Sequence, residues 1–287
     1  MGKEISRIGF VFSGGLSRGA IQSAFVKQVL NKVSLDKVCC ISGSSIGGLN
    51  AYAVGCGNVD NLIKFYSNLD CDNTIHFMKK VGRGLFDKVY GVVEGELKVP
   101  VYNSGTKLVG LECYYYCLNT MPRADIKKAI NVAMSYPFIN GPLSFNHHIW
   151  IDGGATDNVP VYPVTYYEPE MIIIFHNYPK YYPPEELYDL IKPGTIVIDV
   201  DVTLKLSKEF TSFSLSKTAF LEMIEVGTES GKEFADFIFQ DMDIDNICER
   251  CFQYTRDHID ARHEKSGDAL MTFVDVLNSL YRLKTNL

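Results

Sequence analysis

An apolar run, Val38-Cys39-Cys40-Ile41, leads straight into Gly43-Ser44-Ser45-Ile46-Gly47. Glycine on either side of a serine lets the backbone turn sharply from strand to helix, and the turn lifts the hydroxyl into the open. Ser45 therefore reads as a nucleophile. The stretch before it agrees. Ile8-Gly9-Phe10-Val11-Phe12 is a continuous apolar run closed by Ser13-Gly14-Gly15, the pattern of a strand buried on both faces. From Ser17 a helix is expected, with Ile21, Phe25, Val29 and Val33 spaced by four. Strand, helix, strand and sharp turn in this order begin an open parallel sheet wrapped by helices. Short G-x-S-x-G matches also arise by chance, so the neighbouring motifs decide whether this one carries chemistry.

Further along, Asp125 to Met134 has helical spacing that Tyr136-Pro137 breaks, and Ile149-Trp150-Ile151 reads as a strand ending in Asp152-Gly153-Gly154. Met171 to Phe175 and Thr195 to Val202 are expected as buried strands, with the proline-rich segment from Tyr178 to Pro184 as a surface loop between them. Phe220, Ile224, Gly227, Gly231, Phe234 and Ile238 form a stripe on a long helix, and more helix is expected after Met242. The stretch from Cys56 to Asp125 yields only a helical piece around Leu62, Phe65 and Tyr66, followed by a glycine-bearing segment. Within it, His76 to Phe86 mixes basic and bulky apolar residues. The favoured reading is a mobile loop with a solvated basic edge, and the alternative is a segment suited to resting on lipid.

A chain of 287 residues, 46% apolar and 22% charged, is expected to bury one substantial core with a small appendage. A net charge of -6 argues against nucleic-acid binding, which needs a concentrated Lys and Arg surface. No run approaches the length of a membrane span, and no export signal follows the first residues, so a soluble, non-exported chain is expected. Met1-Gly2 with Ser6 meets the loose myristoylation pattern, but a first strand at Ile8 leaves almost no arm for a lipid. The eight cysteines are then read as reduced, Cys39 and Cys40 as core packing. Cys248 and Cys251 with His258 and His263 supply zinc-ligand types, yet helical spacing makes an ordinary helix face the favoured reading.

Ser13-Gly14-Gly15-Leu16-Ser17-Arg18-Gly19 sits between a strand and a helix, where a phosphate loop would sit. A P-loop needs Lys where Ala20 stands, and a dinucleotide fingerprint needs Gly where Leu16 stands. Free N–H groups at a helix start also stabilise other negative charge, including the oxyanion of an ester under attack. Asp152, at a strand end and before two glycines, projects its carboxylate where an open sheet places functional groups.

Taken together these motifs resemble the patatin-like phospholipases, which carry a G-G-G-x-R-G loop, a G-x-S-x-G elbow and a D-G-G or D-G-A motif in that order. Here they read Gly14-Gly15-Leu16-Ser17-Arg18-Gly19, Gly43 to Gly47, and Asp152-Gly153-Gly154. Asn158-x-Pro160 and the stretch Ala133-Met134-Ser135-Tyr136-Pro137 are similar too. The likeness is strong from Ile8 to about Pro163, apart from the middle, and fainter to about Phe239. It implies a three-layer α/β/α fold with a mainly parallel sheet, a catalytic domain over 1–240 and a helical C-terminal extension over 241–287.

The resemblance further implies a lipid acyl hydrolase with a Ser45-Asp152 dyad, an acyl-enzyme, and an oxyanion hole from Gly14, Gly15 and Leu16. Arg18, Gly19, Gly43, Gly47, Gly153 and Gly154 support these motifs, and neither metal nor other cofactor is implied. The expected partner is a phospholipid or other acyl lipid, in the cytoplasm, with peripheral membrane contact. Leu16 departs from the family's glycine, and a left-handed conformation there would cost about 1 kcal/mol or more. Two rivals stand beside this reading. One is a Ser-His-Asp esterase using His176; the other is a patatin-shaped lipid-binding or interaction module whose catalysis has faded.

Overall fold

The apolar run at the start becomes β1 (Ile8–Phe12), buried along its whole length. A 3-10 turn at Leu16–Arg18 comes next, so α1 (Gly19–Leu30) starts at Gly19, two residues after the expected Ser17. Val33, the last residue of the expected stripe, lies beyond this helix but is buried. There follow β2 (Val38–Gly43), α2 (Ile46–Cys56), α3 (Val59–Ser67), α4 (Thr74–Gly82), α5 (Leu85–Val93), β3 (Val101–Lys107) and β4 (Glu112–Cys117). The second half holds α6 (Arg123–Ala133), β5 (Leu143–Phe145), β6 (His148–Asp152), α7 (Tyr162–Thr165), β7 (Met171–His176), α8 (Leu187–Leu190), β8 (Ile196–Asp201), α9 (Lys217–Ile238) and α10 (Ile244–Glu264). This computed structural model describes residues 2–264 apart from positions 72, 138, 179, 180 and 182. The rest of the expected C-terminal extension, 265–287, lies outside the described residues.

The middle of the chain is thus regular. His76 to Phe86, favoured as a loop, runs through α4 into α5 instead. Asn73 supplies the start signal: its side chain accepts the His76 N–H at 2.9 Å, capping α4. The proline-rich loop after β7 is also more than surface, because Tyr178 and Tyr181 are buried in it against the His176 ring.

The sheet is mixed and mostly parallel. β1 pairs in parallel with β2 and β7, β7 with β8 and β2 with β3, while β4, β6 and β5 join by antiparallel pairs. β3 organises the site. β4 pairs with it continuously from Tyr102 to Lys107, β2 pairs with it up to Asn103, and β6 pairs from Gly105 onward. Since β4 occupies one edge throughout, β2 and β6 must share the other edge in succession. They run in opposite directions along it, so their C-terminal ends, Gly43 and Asp152, converge on neighbouring positions of β3.

Helices flank the sheet. Phe10, Phe12 and Phe175 face α1, whose Phe25 lies 5.9 Å from Phe175 and 5.4 Å from Phe234 of α9, ring centre to ring centre. Val11, Ile172 and Ile174 face the other way, toward Val164 of α7 and Leu187 of α8. Burial on both faces is why these strands read as unbroken apolar runs. α9 approaches α1 closely: a Cβ on Gly227 would stand 2.4 Å from the Ile21 carbonyl oxygen, and one on Gly231 2.7 Å from the Phe25 Cα. α10 adds Ile247 and Cys251 to the core. Its start is tied to the N-terminus by Ile244 N–H to Lys3 O and Ile5 N–H to Met242 O.

Candidate active site

Where β2 ends, Ser45 takes φ 53° and ψ -130°, a conformation that holds about 1–3 kcal/mol of strain in a non-glycine residue. The flanking glycines permit it by their lack of bulk. A Cβ on Gly43 would stand 2.3 Å from the Gly47 carbonyl oxygen, and one on Gly47 2.6 Å from that of Phe12. Elbow and first strand are therefore pressed backbone to backbone, and Ser44 N–H donates to Phe12 O at 3.1 Å. The Ser45 side chain emerges at the start of α2.

Its hydroxyl donates to Asp152 Oδ2 at 2.6 Å across 107 positions of sequence. Asp152 is fastened by its backbone: its N–H donates to Ser135 O at 3.0 Å, and Thr106 Oγ1 donates to its carbonyl at 2.9 Å. Its other carboxylate oxygen accepts the Gly154 N–H at 2.8 Å. Gly153 has no room for a side chain, since a Cβ would sit 2.4 Å from Ser104 O. Asp152 is only 5% exposed. Burial pushes its carboxyl up from an ordinary 3.8 to about 6, against the lowering effect of the two hydrogen bonds from Ser45 and Gly154.

The glycine loop adjoins both groups. A Cβ on Gly14 would lie 2.9 Å from Ser45 Cβ. Gly14 N–H, expected as an oxyanion donor, is given to Asn158 O at 3.3 Å. Among the described residues no protein acceptor takes the N–H of Gly15 or Leu16. Leu16 does adopt the left-handed conformation, φ 52°, despite its side chain. Arg18 braces the loop, its guanidinium donating to Asn177 O at 2.9 Å.

Two residues that sequence reasoning passed over hold this loop in shape. Asn177 Nδ2 donates to the carbonyls of Ser13 and Gly14, at 3.3 and 3.2 Å, and the Asn177 N–H donates to Ser13 Oγ. Beneath it Gln22 Nε2 donates to Ser13 O and Phe175 O, while Asn50 and Tyr66 continue the buried network. The available signal for Asn177 was its place directly after β7, at the same sheet end as Ser45. His176, by contrast, is brought to Tyr178 O (2.6 Å) and Asp199 (3.4 Å), and it makes no hydrogen bond with Ser45.

Ser45 and Asp152 open onto a cleft walled by apolar side chains: Leu49, Phe65, Leu69, Phe77, Val81, Leu85, Phe86, Met134, Ile139 and Phe220 among them. Leu16 and Tyr136 line it too. Four of these wall residues, Phe77, Val81, Leu85 and Phe86, come from α4 and α5, whose contribution the sequence hid. Such a site suits one long apolar ligand with a reactive polar group at the serine. Elsewhere, Cys248 and Cys251 occupy α10 at helical spacing, and the His263 side chain lies outside the described residues. Among the described residues no cluster of three or more His, Cys, Asp or Glu side chains is arranged to hold a metal.

The family model described as "Patatin-like phospholipase" matches residues 10–165, more than half of the chain. An uncharacterized protein of Acanthamoeba polyphaga mimivirus is 24% identical over 181 residues, 55% of this chain and 60% of that protein. A probable lipid hydrolase of Invertebrate iridescent virus 6 is 22% identical over 194 residues, 56% of this chain and 63% of its own. In each case the chain spans about three fifths of the relative's length. Among solved structures, VipD from Legionella pneumophila superposes with a TM-score of 0.47 at 11% identity, covering 82% of this chain and 67% of VipD.

Proposed function

The chain belongs to the patatin-like phospholipase family, and from that premise we propose that it is a lipid acyl hydrolase acting through Ser45 and Asp152. The observation that carries the proposal is the 2.6 Å contact between Ser45 Oγ and Asp152 Oδ2 at the wall of an apolar cleft. An acyl chain lies against Phe65, Phe77 and Leu85 with its ester carbonyl at the elbow. The Asp152 carboxylate takes the hydroxyl proton as Ser45 Oγ attacks that carbon. A carboxyl near 6 is ionised at neutral pH yet is a better proton acceptor than one near 4.

The tetrahedral oxyanion is met by the amides of Gly15 and Leu16. Collapse of the adduct breaks the ester C–O bond, and the alcohol leaves with the proton held by Asp152. Water then gives a proton to Asp152 and attacks the acyl-Ser45 ester; a second collapse frees the fatty acid and returns the proton to Ser45. Every proton moves through one carboxylate, so no histidine is needed.

A lipid panel of phospholipids, acylglycerols and simple esters tests the reading. Wild-type protein is expected to release fatty acid and to react with a fluorophosphonate probe at Ser45, whereas Ser45→Ala and Asp152→Asn lose about 10³-fold or more of the hydrolysis. A wild type that neither hydrolyses any of these lipids nor takes up the probe overturns it, and a binding module with this fold is then the better account.

A further inference from the structure

The apolar residues of α4 reach beyond the cleft. Side chains advance about 100° per residue around a helix, so Phe77 and Val81 share the face that lines the cleft, Met78 lies on its flank, and Ile75 and Lys79 lie on the far side. Ile75 is 66% exposed and Met78 38%. Next to the cleft, and sharing Phe65 and Leu85 with it as a common wall, is a recess lined by Lys80, Arg83 and Lys88. No carboxylate lines it among the described residues. The nearby Asp87 is paired with Lys127 at 2.5 Å, and Asp70 accepts Lys80 Nζ on its carbonyl and the Lys217 N–H on its carboxylate. A chain of net charge -6 thus gathers cations beside exposed apolar side chains at the rim of the apolar cleft.

We propose that the α4–α5 hairpin docks the cleft on an anionic bilayer, with lipid phosphates seated in the Lys80, Arg83 and Lys88 recess and Ile75 and Met78 entering the boundary between headgroups and acyl chains. The recess is a subsite for headgroups of the surrounding leaflet, and it brings a neighbouring acyl chain to the cleft. The proposal builds on the acyl-hydrolase reading for its purpose, but its test reads binding alone.

The experiment is vesicle co-sedimentation of Ser45→Ala protein, which leaves the lipid intact, on phosphatidylcholine vesicles with and without phosphatidylserine. Each basic residue at an anionic surface accounts for roughly fivefold in partitioning. Replacing Lys80, Arg83 and Lys88 together by Gln is therefore expected to lower partitioning onto the anionic vesicles about a hundredfold and to leave the neutral vesicles almost unaffected. Added salt should erase the difference between the two proteins. Ile75→Ser with Met78→Ser, both at exposed positions, must weaken binding to the anionic vesicles as well, which guards against a triple variant that merely misfolds.

Equal partitioning of the parent and both variants overturns the proposal. So does a loss that is the same on neutral vesicles. If the triple variant instead weakens only the binding of a monomeric short-chain phospholipid, the recess serves the substrate's own headgroup and membrane docking is rejected. Failure of the hydrolase reading would show separately, as absent fluorophosphonate labelling of wild-type protein.

Discussion

Asp152 is held where its charge is useful and where its charge is unwelcome. Its carboxyl binds a proton more tightly folded, at about 6, than at an ordinary 3.8. The unpenalised fold is thus the one below pH 3.8, and the penalty grows as pH rises through 6, reaching about 3 kcal/mol. Asp152→Asn removes the charge and is expected to gain up to about 3 kcal/mol of stability at pH 8 in urea unfolding, with little gain at pH 4. In wild type kcat/KM should rise with pH through about 6, because the base must be ionised; a profile flat from 5 to 8 would count against Asp152 in that role. Ser45, Asp152 and the glycine loop were legible because each is flanked by glycines whose missing side chains mark a turn or a close approach. Asn177 and Gln22 were not, since such amides are common and these two act on the glycine loop through backbone partners that the sequence does not mark. Leu16 shows a limit of reading by pattern: a leucine can occupy φ 52° when the surrounding loop is tied down, and Leu16→Gly is expected to leave kcat within about threefold.

At the level of elements, the strands buried on both faces could be read as apolar runs, and α1, α6 and α9 by their spacing. The stretch from 56 to 125 resisted for a physical reason. α4 and α5 are only nine residues each, and the apolar arc of α4 runs from the cleft round to solvent at Ile75, so too few turns repeat for a stripe to stand out. β4 presents aromatic residues on both faces, which blurs a period of two. The α1–α9 contact offers a test in which two effects oppose. Alanine is the better helix former by about 1 kcal/mol, but at Gly227 or Gly231 its methyl would meet the α1 backbone at 2.4 or 2.7 Å. Overpacking prevails, so Gly227→Ala and Gly231→Ala should each destabilise by about 1–2 kcal/mol in thermal or urea unfolding. A stabilising alanine at either site would mean the helices are less closely packed than described.

For the molecule as a whole, closure depends on the N-terminal segment as well as on the sheet. Ile5 is fully buried, and the backbone around it is bonded to the junction of α9 and α10. Ile5→Ala is expected to cost about 2–5 kcal/mol and to speed hydrogen exchange in α10, with probe labelling of Ser45 unchanged below the melting range. The shared edge of β3 has a wider consequence. Because β2 and β6 abut along it from opposite directions, the gap between hydroxyl and carboxylate is measured off by ladder positions on a third strand. A slip of β6 by one residue would move its end by about 3.3 Å and turn the carboxylate to the far side of the sheet. Correct threading and chemical competence are therefore one event, and a phosphonate probe doubles as a gauge of whether the antiparallel half has found its place.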